Sequence, residues 1–430
     1  LPGDIAAGHG EGCMSVTVRF FFGLIGVLLV IPVAWAAPVE VIAGPWVELG
    51  ADNRLEVRVV VGSGVTACPE VVADNSTIEP RQRGAADGDF PITTCSATVP
   101  LATQKLTVGG VAVPTVPVAV NRIAVIGDTG CRIDGKQLQD CNDTNQWPFP
   151  VIAKRAAGCK PDLVIHVGDY YYREDPCPAG NKGCAGSPHG DNWGAWKADF
   201  FEPAVSLLGA APWVMVRGNH ELCRRGGKGW MRLLDPRADL VDCADRSPPY
   251  RLHLGGLDLL IFDDAGADDF KTDPTSIAAY AAQLAQLLAN APLHSWLVMH
   301  RPVWALAQGN LGAKNMNQTM EAAIKGHVPP GLDMVLSGHL HDFTSYSFGP
   351  QRPSQLIVGV GGDTMLDLAN VPVVGADIDG MKTTKGFALE RFGFFIMERS
   401  GDNWNGTLYA PDDTTVLAQC TIAGRDLDCH

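Results

Sequence analysis

Five short apolar runs each end on a residue able to bind a metal ion. No other feature restricts the fold of this 430-residue chain as tightly. Ile123–Ile126 leads to Gly127-Asp128, and Leu163–Val167 leads to Gly168-Asp169. Trp213–Val216 leads, through Arg217, to Gly218-Asn219-His220-Glu221. Trp296–Met299 leads to His300, and Met334–Leu336 leads to Gly338-His339-Leu340-His341. Continuous apolar runs of this length are the mark of strands buried on both faces. Successive metal-capable residues lie between 39 (His300 to His339) and 81 positions apart (Asn219 to His300), enough for a crossover between strands. Open α/β sheets build their sites beyond the carboxyl ends of strands, so the five segments should converge on one edge. Glycines before Asp128, Asp169, Asn219 and His339 suit tight turns and close approach of backbone to substrate.

The donors are carboxylates, an amide oxygen, imidazoles and a nearby phenol, without a thiolate. That set is too rich in nitrogen for calcium and lacks the sulfur of a structural zinc site. It suits a pair of borderline or hard transition ions, held about 4 Å apart by a bridging carboxylate.

Gly127-Asp128-Thr129-Gly130, Gly168-Asp169-Tyr170-Tyr171-Tyr172, Gly218-Asn219-His220-Glu221, His300 and Gly338-His339-Leu340-His341 resemble the five ordered motifs of calcineurin-like metallophosphoesterases. GDxG followed by GDxxY is similar to the purple acid phosphatase branch, whereas many relatives carry a His where Gly130 stands. The resemblance spans about 121–365 and implies an α/β fold, a metallophosphoesterase-type β-sandwich flanked by helices (αββα). It assigns Asp128, Asp169, Tyr172 and His341 to an iron(III) site. Asp169, Asn219, His300 and His339 go to a second, divalent site (Fe, Zn or Mn), with Asp169 bridging. Of the three tyrosines only Tyr172 stands three residues after Asp169; Tyr170 and Tyr171 compete by proximity, and the bland reading for them is packing under the sheet. His220 is the expected catalytic residue, stabilising phosphoryl oxygens or donating to the leaving group. Glu221 is expected to orient His220 or to pair with Arg224 or Arg225. Candidate substrate contacts are His189, in the Gly/Pro-rich loop Arg173–Trp193, together with Arg217 and Arg301. After Val303–Ala307, small purple acid phosphatases tend to carry Glu-His; this chain has Gln308-Gly309, a departure that bears on monoester preference and pH optimum.

Residues 37–118 read as a small all-β domain ahead of a catalytic domain over 119–430. Leu55–Val59 alternates apolar and polar residues, and Pro114-Thr115-Val116-Pro117 reads as a linker. A helix is expected after Asp273 as N-cap, burying Ile277, Tyr280, Ala281, Leu284, Leu287 and Leu288 and stopping before Pro292. Strands are expected at Phe392–Met397 and Trp404–Tyr409.

Met14–Ala36 reads as a secretory signal, with Arg19, the apolar run Phe20–Val33 and an Ala-Trp-Ala cleavage site; the segment 1–36 is therefore the leader, and 1–13 an early start-site reading. The apolar run falls short of the roughly 20 residues a membrane span needs. Setting Cys13 aside leaves eleven of twelve cysteines, many for a reduced compartment. Near-neighbour pairing gives Cys68–Cys95, Cys131–Cys141, Cys177–Cys184, Cys223–Cys243 and Cys420–Cys429, with Cys159 a buried free thiol. Glycosylation sequons begin at Asn75, Asn142, Asn317 and Asn405.

A formal charge of −14 argues against binding to a nucleic-acid polymer, which needs a positive surface. The sequence thus leads to an exported enzyme, secreted or periplasmic, with a small phosphorylated substrate and no membrane contact after signal cleavage. The expected reaction is hydrolysis of phosphate monoesters by direct attack of a metal-bound hydroxide. Alternatives are a phosphodiesterase or nucleotidase on the same scaffold, or a non-catalytic exported binding protein.

Overall fold

The computed structural model describes residues 40–430 apart from 66, 136, 310, 311, 369, 370 and 413. The expected leader, with Cys13, lies outside the described residues. The first three apolar runs form parallel strands, Arg122–Ile126, Leu163–His166 and Trp213–Met215, with Leu163 opposite Ile123 and Trp213 opposite Val164. The other two, Ser295–Val298 and Leu332–Ser337, are parallel neighbours in a second sheet, flanked by Asp258–Ile261 and Ser354–Val358.

Side-chain alternation explains how the two sheets meet. Ile123, Val125, Leu163 and Ile165 face the common core with Trp296, Val298, Met334 and Leu336. The intervening residues Ala124, Ile126 and Val164 face outward, under the helix Phe149–Gly158. Leu297 and Val335 lie under the helix Pro274–Leu288. Both faces of each site strand are therefore dry, each buried aliphatic side chain contributing about 1.5–3 kcal/mol. The layers run helix, sheet, sheet, helix. The Pro274–Leu288 helix starts as expected, the Asp273 carboxylate accepting the Ser276 N–H at 2.7 Å.

Among the described residues the first sheet has eleven strands and the second seven. Phe394–Ser400 and Asn403–Tyr409 extend the first sheet on one side. On the other, Val41–Gly50 pairs in parallel with Trp213–Met215 through Glu48 and Trp213. The N-terminal all-β region thus lengthens the sheet that carries the site. Its strand Arg54–Gly62 is buried on both faces: Leu55, Val57, Val59 and Val61 join the common core, and Val60 packs on the other side with Trp46, Phe90 and Ile92. The polar residues of the alternation find internal partners. Glu56 accepts from Ser96 at 3.0 Å and Thr98 at 2.6 Å, and Arg58 meets Glu48 at 2.9 Å and the Leu233 carbonyl at 2.8 Å.

All five expected disulfides are present, with Cα–Cα distances from 4.1 to 5.7 Å. Cys159 is buried as expected, but it is disulfide-bonded, not a free thiol. The free-thiol expectation rested on the odd count left after Cys13 was set aside. Asn75, Asn142 and Asn405 are exposed, whereas Asn317 is buried against Asp264, so a glycan there is incompatible with the folded chain. Among the described residues no helix is long and apolar enough to cross a membrane.

Candidate metal centre

The carboxyl ends of the five strands meet across the two sheets. Three of the expected ligands, Asp128, Asp169 and His339, have left-handed backbone (φ 55°, 60° and 71°). Such conformations cost L-residues energy and collect at functional sites, where the surrounding structure enforces them. Glycine is required at two nearby positions. A Cβ on Gly218 would collide with Asp169 Oδ1, and one on Gly130 would stand 2.8 Å from the Tyr172 ring. The His that many relatives carry at the Gly130 position is therefore excluded by Tyr172.

Asp169 Oδ2 is the centre of the cluster. It lies 2.9 Å from the Tyr172 hydroxyl and 3.2 Å from His300 Nε2. On the Tyr172 side, the hydroxyl is 3.2 Å from Asp128 Oδ1 and 3.1 Å from His341 Nε2. On the His300 side, Nε2 is 3.1 Å from Asn219 Oδ1, and the His339 ring is 5.1 Å away. One donor atom each from Asp169, His300 and His339 falls within 4.8 Å of the others. All seven expected ligands are thus brought together.

The donors are presented in the form a cation requires. His300 Nδ1 is 2.7 Å from the Val167 carbonyl and His341 Nδ1 is 2.8 Å from the Thr364 carbonyl. A carbonyl only accepts, so both imidazoles carry a proton on Nδ1 and aim Nε2 inward. Burial raises Asp128 well above the ordinary carboxylate range. Burial also raises Tyr172, helped by the Asp169 and Asp128 carboxylates. Burial works against a charged His300, yet the Asp169 carboxylate pushes it up to about 10. The negative charge concentrated here holds protons that a bound cation would displace. The residues fit a dinuclear metal centre.

Supporting side chains complete the frame. Glu221 departs from its expected role: its carboxylate accepts N–H groups from Gly218 (2.9 Å), Asp169 (3.1 Å), Tyr170 (2.9 Å) and Tyr171 (3.3 Å). It caps the bend that carries Asp169 and makes no pair with Arg224 or Arg225. Asp199 accepts the Tyr172 N–H at 2.7 Å, and Asp264 accepts those of His300 and Arg301, both at 3.1 Å. Arg132 lies 4.7 Å above the Tyr172 ring and pairs with Asp363, whose carboxylate is 3.4 Å from His341 Nδ1. Asp199, Arg132 and Asp363 carry no motif, whereas Asp264 closely follows the strand Asp258–Ile261 and a sixth strand-end carboxylate was a readable signal.

His220 is buried beside the centre, with Nε2 3.9 Å from Asp169 Oδ2. Tyr170 and Tyr171 pack inward, on His166 and Trp196. The candidate substrate contacts part company. Arg301 reaches the rim, its Nη1 2.5 Å from Asp269 Oδ2 and 2.7 Å from His339 Nε2. Arg217 is buried away from it, donating to the Glu221 and Ala244 carbonyls and facing Asp263. His189 is exposed, in a loop that returns to Arg173 through the Gly190 N–H.

The family profile for calcineurin-like phosphoesterase matches residues 121–343. The chain belongs to this family. The phosphoesterase fold is also that of purple acid phosphatase PPD1 from yellow lupin (Lupinus luteus) seeds, with a TM-score of 0.58 at 12% identity over 91% of this chain and 74% of that one. PhoD gives a TM-score of 0.54 at 11% identity, over 89% of this chain and 91% of the other. No curated protein matches the sequence. In this phosphoesterase the motif strands occupy the matched span, and the N-terminal strands and those after Phe394 widen the sheet beyond it.

Proposed function

We propose that this phosphoesterase is an exported dinuclear phosphatase that hydrolyses small phosphate monoesters by direct transfer of the phosphoryl group to water. The observation that carries the reading is Asp169 Oδ2, between the Tyr172 hydroxyl at 2.9 Å and His300 Nε2 at 3.2 Å. Asp128, Tyr172 and His341 would hold one ion, iron(III), for which a phenolate is a hard anionic ligand. Asn219, His300 and His339 would hold a divalent ion, with Asp169 shared. Two bound ions would supply Lewis acidity toward phosphoryl oxygens and lower the pKa of a coordinated water.

His220 would give a proton from Nε2 to the oxygen that leaves phosphorus. The buried walls around Asp128 and His300 exclude bulk water and strengthen each electrostatic contact. Arg301 would steady a phosphoryl oxygen at the rim through its remaining N–H groups. The disulfides, the five expected pairs among them, together with the expected leader support an oxidising extracytoplasmic compartment.

The deciding experiment is metal analysis with a visible spectrum of the freshly purified protein. A purple or pink band lost in Tyr172→Phe supports the iron(III) phenolate reading, and Asp169→Asn should lose both metal and turnover. Full metal and turnover in Asp169→Asn would refute it. A diester or nucleotide substrate is the second reading, favoured by Gln308-Gly309 where small purple acid phosphatases tend to have Glu-His. Parallel assays with a monoester and a diester of one chromogenic alcohol separate the two.

A further inference from the structure

We propose that Arg132 is the positioning residue for the Tyr172 ring and the cation that sets its donor strength toward the proposed iron(III). The inference rests on the iron(III) phenolate reading and deepens it. The guanidinium carbon lies 4.7 Å from the centroid of the Tyr172 ring, whose hydroxyl stands within 3.2 Å of Asp128, Asp169 and His341. A cation over an aromatic face is attracted to its electrons, the more so where water is kept out. The Arg132 side chain is 13% exposed and Tyr172 is fully buried, so little solvent screens the pair. Phenolate-to-iron charge transfer moves an electron from the ring to the ion. A cation against the ring lowers the energy of those donor electrons, so the transition needs more energy and its band lies at shorter wavelength. The same charge favours iron(II) over the more positive iron(III), which makes the ion easier to reduce.

Backbone bonds hold Arg132 opposite the tyrosine. The Ile133 N–H donates to the Tyr172 carbonyl at 3.0 Å. Asp199 accepts both the Cys131 N–H at 3.1 Å and the Tyr172 N–H at 2.7 Å. The residues on either side of Arg132 are therefore tied to the backbone of Tyr172, and Cys131–Cys141 closes the loop that carries them. The side chain is fixed as firmly. Nε donates to Asp363 Oδ1 at 3.1 Å, Nη2 donates to Asp363 Oδ2, and Nη1 donates to Asp134 Oδ2 at 3.3 Å. Asp363 is seated in turn by its own N–H, which donates to the Asp128 carbonyl at 2.9 Å. Burial works against a charge on Arg132, yet Asp363 and Tyr172 raise it above the ordinary arginine range, so the group stays cationic.

The test is a visible spectrum and a redox titration of the full-length protein with its native metals, read beside metal content and a melting curve. Arg132→Met and Arg132→Gln both remove the charge, and each should move the charge-transfer band to longer wavelength. At one fixed solution potential their iron(III)-to-iron(II) ratio should rise about 2- to 30-fold, the equivalent of about 0.5–2 kcal/mol. Arg132→Lys keeps a charge without the planar fork and should fall between them and the wild type. A band that stays in place in both neutral variants at full metal content, or moves to shorter wavelength, would overturn the proposal. So would a raised KM for phenyl phosphate with the band unmoved, which marks Arg132 as a substrate contact instead. Where the neutral variants lose metal or fail to fold, the lysine variant decides alone: a shift to longer wavelength supports the assignment, and no shift sinks it. Wild-type protein without iron, or with iron and no visible band, refutes the iron(III) phenolate reading itself. A wild-type band that no Arg132 variant moves refutes the role of Arg132 alone.

Discussion

The Glu221 carboxylate accepts the Asp169 N–H across 3.1 Å, tying the end of one motif strand to the turn that ends another. It takes three further amides, those of Gly218, Tyr170 and Tyr171, and burial pushes its carboxyl up to about 8. Glu221→Ala strands four buried donors, so it should cost at least about 4 kcal/mol at about 1–3 kcal/mol per group. Metal content should fall with it. Glu221→Gln keeps one acceptor oxygen and should fall between; denaturant titration with metal analysis checks both.

Gly130→Ala tests the close approach at Tyr172. The added carbon would stand 2.8 Å from the ring and 2.9 Å from the Tyr170 carbonyl, so ring or backbone must shift. Overpacking of this kind costs about 1–3 kcal/mol. The visible band of the proposed iron(III) phenolate should weaken or shift before stability fails, as a spectrum and a melting curve on one sample would show.

Arg58 holds the N-terminal strands to the segment after Leu233. Its side chain is fully buried, pairs with Glu48 at 2.9 Å and donates to the Leu233 and Arg237 carbonyls at 2.8 and 3.1 Å. Arg58→Ala leaves a buried carboxylate without its cation and should cost about 3–5 kcal/mol. Arg58→Met with Glu48→Leu removes both charges and should recover much of that loss. Paired unfolding curves decide.

Glu321 sets a pH dependence away from the centre. Burial, joined by Asp379, pushes its carboxyl up to about 8, and Oε1 has no hydrogen-bond partner. The folded state thus binds a proton that the unfolded chain has released above its ordinary value of 4.5. This contribution is fully present below pH 4.5 and is lost as pH rises through about 8. Glu321→Gln lacks the dependence, so near pH 8 it should be the more stable by about 1 kcal/mol, after allowing for solvent screening at a half-buried side chain. Denaturant midpoints of both proteins from pH 5 to about 8.5 would read the crossing.

The ligands were legible because each follows an apolar run, so strand periodicity alone places Asp128, Asp169, Asn219, His300 and His339 at strand ends. Tyr172 and His341 needed the family resemblance. Asp269, Asp363 and Arg132 sit in loops and Asp199 in the short helical segment Lys197–Phe201, none with a motif, and their contacts exist only once separate segments have met. Glu221 misled for the same reason. Its neighbours in sequence are His220 and the Arg224-Arg225 pair, yet three of its four bonds go to amides about 50 residues earlier. Cys159 went wrong by arithmetic, since an odd count followed from setting one cysteine aside.

The parallel partner of Val41–Gly50 is Trp213–Met215, about 160 residues later in synthesis. The earliest strands of the β region must therefore wait with one open edge while the intervening chain is made. A fragment that starts near residue 121 would meet the mirror hazard, since Trp213–Met215 would then form the bare rim of its sheet. Both cases invite edge-to-edge association between molecules. Soluble yield, more than catalytic rate, is where shortening this enzyme from its amino end should first be felt.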